Sequence, residues 1–226
     1  MSVAENVEHS HGHGAEHSSY QQHHFATAEQ QADASKIGMW LFLVTEVLIF
    51  GGLFVGYGMM QNKFPEAWKS AHHHLQRELG ALNTVVLLIS SFTMVMAVQA
   101  AKLNRRKQLI GNLWVTIICA LTFLGVKYFE YSHKYHEGLL PFKKFYSYEG
   151  PQVPGEFHFF SFYFMMTGLH GIHILGGVAV LFWLLKRSYA GDFSNAYYTP
   201  VDLVGLYWHL VDLIWIYLFP LLYLIS

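Results

Sequence analysis

One acid stands alone in a long apolar run. Glu46 lies near the middle of Gly38-Met39-Trp40-Leu41-Phe42-Leu43-Val44-Thr45-Glu46-Val47-Leu48-Ile49-Phe50-Gly51-Gly52. If that run crosses a bilayer, an ionised carboxylate at its centre costs roughly 2.5 to 3.5 kcal/mol on insertion scales, so Glu46 is expected to be protonated or paired. It is either a proton-handling or bundle-contact acid, or a protonated structural hydrogen-bond donor; the residue type leaves both open. A second candidate is Thr167-Gly168-Leu169-His170-Gly171-Ile172-His173, which sets two imidazoles, His170 and His173, three residues apart on one helix face. Such a pair can ligate a metal, but no His-Glu-x-x-His is present and a zinc site would want a third ligand. Packing and interhelical hydrogen bonding are the competing use. Asp202, Gly205, His209 and Asp212 follow at spacings of three, four and three, a polar stripe on an otherwise apolar helix. In that arrangement Asp212 is expected to hydrogen-bond His209, with the stripe turned into the bundle or onto a partner subunit.

The elements that must carry these groups are visible in the hydropathy. The chain has 226 residues, 53% hydrophobic and only 13% charged, and the apolar residues are gathered into blocks. A hydrocarbon core of about 30 Å takes roughly 20 helical residues to cross. Five stretches meet that length, approximately residues 38–60, 80–101, 112–129, 157–185 and 201 to near the end. The expected fold is therefore all-α, a polytopic membrane bundle of five transmembrane helices. Pro65 is expected to stop the first helix in a polar loop, Pro200 to open the fifth and Pro220 to bend or fray its last turns. Gly51, Gly52, Gly56, Gly168, Gly171, Gly176 and Gly177 suggest close helix pairs, and Trp40, Trp114, Trp183 and Trp208 read as interfacial aromatics.

Residues 1–35 are rich in His, Gln, Ala and Ser, and read as a disordered cytoplasmic tail ahead of a single domain, residues 36–226. His9, His11, His13, His17, His23 and His24 make the tail open to adventitious metal. The first hydrophobic block is too long for a cleaved signal peptide and is expected to stay in the mature chain. The net charge of −1 and the lack of a basic, aromatic-interleaved stripe argue against a nucleic acid partner. Cys119 is the only cysteine, which excludes an intrachain disulfide. Lys36, Lys102, Arg105, Arg106, Lys107, Lys186 and Arg187 fall on one side of a five-span layout, and the other side also holds seven basic residues. The first set is packed into short loops beside helix ends, where the positive-inside effect is strongest, so the N-terminus is expected in the cytoplasm and the C-terminus outside, in the periplasm.

In family order the chain carries Gly38-Met39-Trp40-Leu41-Phe42-Leu43 with Glu46, then Leu82-Asn83-Thr84, Phe129-Glu130-Tyr131 and the Thr167 to His173 segment. Tyr207-Trp208-His209-Leu210-Val211-Asp212-Leu213-Ile214-Trp215 completes the series, giving one landmark per expected helix. Together these resemble subunit III of the haem-copper oxidases, the family that includes cytochrome c and quinol oxidases. The resemblance implies an accessory subunit of the bacterial inner membrane that holds no cofactor. Haem and copper would reside in partner subunits, and the main contact would be oxidase subunit I, which reduces oxygen to water and pumps protons. Membrane lipids and a larger respiratory supercomplex are further possible partners. By the same resemblance Glu46 matches the family's intramembrane carboxylate, Glu130 the acid ending the next helix, and His170, His173, His209 and Asp212 its polar bundle residues. Upkeep of rapid proton uptake and of catalytic lifetime is the implied role. Two features depart from the family: the first two helices of its seven-helix members are absent, and Tyr217-Leu218-Phe219-Pro220-Leu221-Leu222-Tyr223 lacks the frequent aromatic-glycine finish. The alternatives are the accessory subunit of a nitric oxide reductase or quinol oxidase, and a free-standing haem- or metal-binding membrane protein using His170, His173 and His209.

Overall fold

The computed structural model describes residues 25–72, 75–137, 139, 153–195 and 197–224. The six tail histidines lie outside them. Helices α1 (Ala28–Lys63), α2 (Pro65–His72), α3 (Arg77–Lys102), α4 (Arg106–His136), α5 (Glu156–Ala190) and α6 (Thr199–Phe219) follow in order, and α6 runs on into a π-helical turn, Pro220–Leu224. Five of these are long and apolar enough to cross a membrane, with the π-turn counted as part of the last. The expected all-α bundle of five spans is what the chain builds.

Several boundaries differ from the expectation. Residues 28–35 are not part of a disordered tail but the first turns of α1. Thr27 Oγ1 accepts from the Gln30 amide at 3.1 Å as an N-cap, and Glu29 sits in the first turn, where the helix dipole favours an acid. Ala, Gln and Glu are good helix formers, and extending an existing helix avoids the cost of nucleation, so no buried face is needed there. The third span, expected to be the shortest, runs for 31 residues to His136. Lys127 and Lys134, which sequence alone counts among the outer basic residues, lie inside it, 7% and 2% exposed. Pro65 does end α1, yet it also opens α2, whose Ala67, Trp68, Ala71 and His72 are buried. Trp208 is not interfacial: it is fully buried and donates from Nε1 to Ser90 Oγ at 2.7 Å.

The α3–α4 hairpin is the central pair, with α6 against α3 and α5 closing on α4 and α6. Thr93 and Thr116 share a 2.8 Å hydroxyl contact between α3 and α4, and Trp215 Nε1 donates to Thr84 Oγ1 at 3.0 Å between α6 and α3. Close approach falls at particular glycines: a Cβ on Gly177 would stand 2.6 Å from the Trp208 ring, whereas Gly51, Gly52 and Gly171 face open space within this chain. The two short basic loops meet at one end. Arg106 donates to the Ser188 and Tyr189 carbonyls at the end of α5, Asn104 Oδ1 accepts from the Asn195 amide at 2.6 Å, and Lys102 pairs with Asp202 at 3.4 Å. The α1 helix is the least embedded span: 17% of its most apolar stretch is buried, against 44% in the last.

Candidate functional site

Glu46 projects from α1 toward α5 and is 7% exposed. Its Oε2 lies 2.7 Å from His173 Nε2, so the acid in the middle of the first span is paired with an imidazole in the middle of the fourth. The other ring nitrogen fixes the proton count. His173 Nδ1 is 2.8 Å from the Leu169 carbonyl, which can only accept, so Nδ1 carries a hydrogen. The Nε2 contact with Glu46 then needs one further proton, held either as Glu46–COOH donating to Nε2 or as an imidazolium donating to a carboxylate. Both arrangements are neutral as a pair, which is how a carboxyl is carried in apolar surroundings. Phe50 packs against the His173 ring at 5.5 Å, and Tyr207 of α6 donates to the His173 carbonyl at 2.8 Å. Phe42 meets Tyr207 at 5.9 Å, so α1, α5 and α6 join around this pair.

The two histidines of α5 do not act together. His170 is fully buried between Phe123, edge-on at 5.4 Å, and Trp215, stacked at 5.3 Å, and neither ring nitrogen has a hydrogen-bond partner among the described residues. Three residues advance a helix by about 300°, leaving a 60° offset. That offset gives the two imidazoles different neighbours, Glu46 and Phe50 of α1 for His173 and Phe123 of α4 with Trp215 of α6 for His170. The expected Asp212–His209 bond is also absent. His209 Nδ1 is 2.8 Å from Ser91 Oγ of α3 instead, and Asp212, 3% exposed, lies beside the same Ser91. The stripe turns into the bundle as expected, and Ser91 of α3 lies beside both His209 and Asp212, so the two side chains meet the neighbouring helix and not each other.

Glu130 does not end its helix. It lies in the body of α4, 3% exposed, and belongs to a network that sequence reading missed. Its Oε2 accepts from Lys127 Nζ at 2.8 Å and its Oε1 from the Tyr223 hydroxyl at 2.6 Å, with Lys134 Nζ at 3.9 Å. The signal was present in Lys127-x-x-Glu130-x-x-x-Lys134, the i, i+3 and i+4 spacing that stacks opposite charges on one helical face. Among the described residues no three His, Cys, Asp or Glu side chains gather as a group able to hold a metal ion.

The family profile described as "Cytochrome c oxidase subunit III" matches residues 13–139 and 142–226. A probable cytochrome c oxidase subunit 3 of Nocardia farcinica is 30% identical over 84% of this chain and 87% of its own length. The cytochrome c oxidase subunit 3 of Thermostichus vulcanus is 30% identical over 88% and 91% respectively. The cytochrome bo(3) ubiquinol oxidase subunit 3 of Pseudomonas putida is 27% identical over 84% and 85%.

Proposed function

This chain belongs to the cytochrome c oxidase subunit III family, and from that premise we propose that its Glu46–His173 pair supports proton uptake by the oxidase without taking part in oxygen chemistry. The chain is an accessory subunit of a haem-copper oxidase, a multi-pass membrane protein working within a complex. In this reading it is non-catalytic and binds no cofactor itself, while haem and copper reside in neighbouring subunits. Its main contact is subunit I, the proton-pumping catalytic subunit, and cytochrome c is the electron donor. The membrane is a bacterial inner membrane, with the N-terminus and the basic loops in the cytoplasm. Burial of Lys127 and Lys134 supports that orientation, because it removes two of the opposite end's seven cations from the loops.

The observation that carries the proposal is the 2.7 Å contact between Glu46 Oε2 and His173 Nε2, midway along α1 and α5, which requires a proton between the two atoms. Without that proton the pair carries a charge of −1, so the proton is passed on only together with the arrival of a replacement, which keeps the site neutral in lipid. The Glu46→Gln oxidase tests this, since Gln keeps hydrogen-bonding capacity but loses the titratable proton. It is expected to assemble with normal haem spectra yet to lose turnover at high pH or to inactivate faster during turnover. If it matches wild type in both respects, the proton role is wrong. The isolated chain from residue 25 onward is expected to show no visible haem or copper absorbance; a stoichiometric centre there would favour a free-standing cofactor protein.

A further inference from the structure

Tyr223 sits in the π-turn and is fully buried. Its hydroxyl donates to Glu130 Oε1 at 2.6 Å and accepts from Lys127 Nζ at 2.8 Å, while Lys127 also donates to Glu130 Oε2 at 2.8 Å. These three bonds close a ring. Two of the three Lys127 N–H donors and the Tyr223 hydroxyl are spent on acceptors inside it, and the Lys127 ammonium lies 4.7 Å from the centre of the Trp215 ring, which adds cation–π attraction. A lysine and a glutamate are tolerated at this depth because the ring leaves neither without a partner.

The same turn touches every other span. Besides α4, Tyr163 of α5 brings its hydroxyl to 3.4 Å from that of Tyr223. Gly80 of α3 lets Phe219 and Tyr223 lie on its backbone: a Cβ there would stand 2.9 Å from one ring and 3.1 Å from the other. From α1, the Tyr57 hydroxyl donates to the Leu221 carbonyl at 3.1 Å. Last-turn carbonyls have no intrahelical donor, so this one is open to a side chain. Tyr57 and Glu46 belong to one continuous helix, eleven residues and about 16 Å apart at 1.5 Å per residue. A helix is stiff over that distance, so holding Tyr57 sets the height and rotation of Glu46. The other contacts that hold this span, such as Phe42 on Tyr207 and Tyr57 on Phe159, are ring packing, which fixes register less sharply than a hydrogen bond.

We propose that the Lys127–Glu130–Tyr223 ring is a positioning device for Glu46. By seating the π-turn it presents the Leu221 carbonyl to Tyr57, and so holds α1 in the register at which Glu46 reaches His173. Its consequence for turnover rests on the proton-uptake reading above, whereas its geometry does not.

The intact oxidase tests this through the infrared carboxyl band of Glu46, identified by its loss in Glu46→Gln, and through amide hydrogen exchange along α1. Tyr223→Phe and Tyr57→Phe each remove one hydroxyl and keep the ring packing. Both are expected to shift the Glu46 band and to speed exchange in the second half of α1 by about tenfold, the effect of one hydrogen bond. The double variant should go no further than the larger single one. If Tyr223→Phe fails to assemble, Lys127→Met with Glu130→Leu removes the ring using apolar groups and is expected to give the same two signals. An unshifted band and wild-type exchange in whichever ring variant assembles would overturn the proposal, as would additive effects in the double variant. A shifted band with wild-type turnover and lifetime would leave the positioning role standing and remove the proton-uptake reading instead.

Discussion

Replacing His173 by Leu should loosen α1 from the bundle, and the cost can be worked from the contact it removes. The Nε2–Oε2 bond is 2.7 Å long and nearly closed to solvent, with the Glu46 side chain 10% and the His173 side chain 16% exposed. A hydrogen bond to a charged or charge-sharing group contributes about 1.5 to 3 kcal/mol, and leaving Glu46 without a partner adds a desolvation penalty of about 1 to 3 kcal/mol. Breaking such a buried pair from one side therefore costs roughly 3 to 5 kcal/mol, or a hundredfold or more in the equilibrium that seats α1. Removing both partners is different in kind. Glu46→Leu with His173→Leu leaves two apolar side chains in an apolar place and should restore much of the loss. The assay is a double-mutant cycle on the purified oxidase, reading retention of this subunit against increasing detergent and amide exchange along α1. A coupling of about 3 kcal/mol is expected. If the double variant is as weak as the sum of the singles, the two residues act independently and the shared-proton description fails.

Two further outcomes are expected. In intact cells, a cysteine placed at Asn104 should resist a membrane-impermeant thiol reagent while one at Ser147 reacts; the reverse pattern would invert the topology. Gly177→Ala should destabilise the subunit by about 1 to 3 kcal/mol, because its Cβ would lie 2.6 Å from the rigid Trp208 ring; unchanged thermal stability would mean that α5 and α6 can part without cost.

The spans were legible because length and hydropathy measure the bilayer directly, and Glu46 was legible because a lone acid in such a run has no cheap explanation. Its partner was visible as a residue but not as a partner. The separation of 127 positions from Glu46 to His173 is closed only by the packing of α1 on α5, which no local spacing encodes. Asp212 and His209 show the opposite failure: neighbours on one helix were expected to bond, and the neighbouring helix offered His209 a better acceptor or donor in Ser91. Lys134 fell outside the third stretch, and Lys127 inside its last turn was taken for a loop-facing charge, because hydropathy gives a lysine no reason to turn inward. Here the charges continue inward and are satisfied by Glu130 and Tyr223, the latter 93 positions from Glu130. The start of α1 was missed for a simpler reason, since helix formers without an apolar face carry no periodic signal.

The extension of α1 has a mechanical consequence. At 36 residues the helix is about 54 Å long, while the hydrocarbon layer is about 30 Å thick. Its apolar stretch begins only near Ile37, so the nine residues from Ala28 to Lys36 prolong the same rod by about 14 Å on the side of the basic loops. A flexible tether of that length would move freely, whereas this stretch of helix lies beside the Tyr197 to Leu203 shoulder, whose residues share a cleft with it.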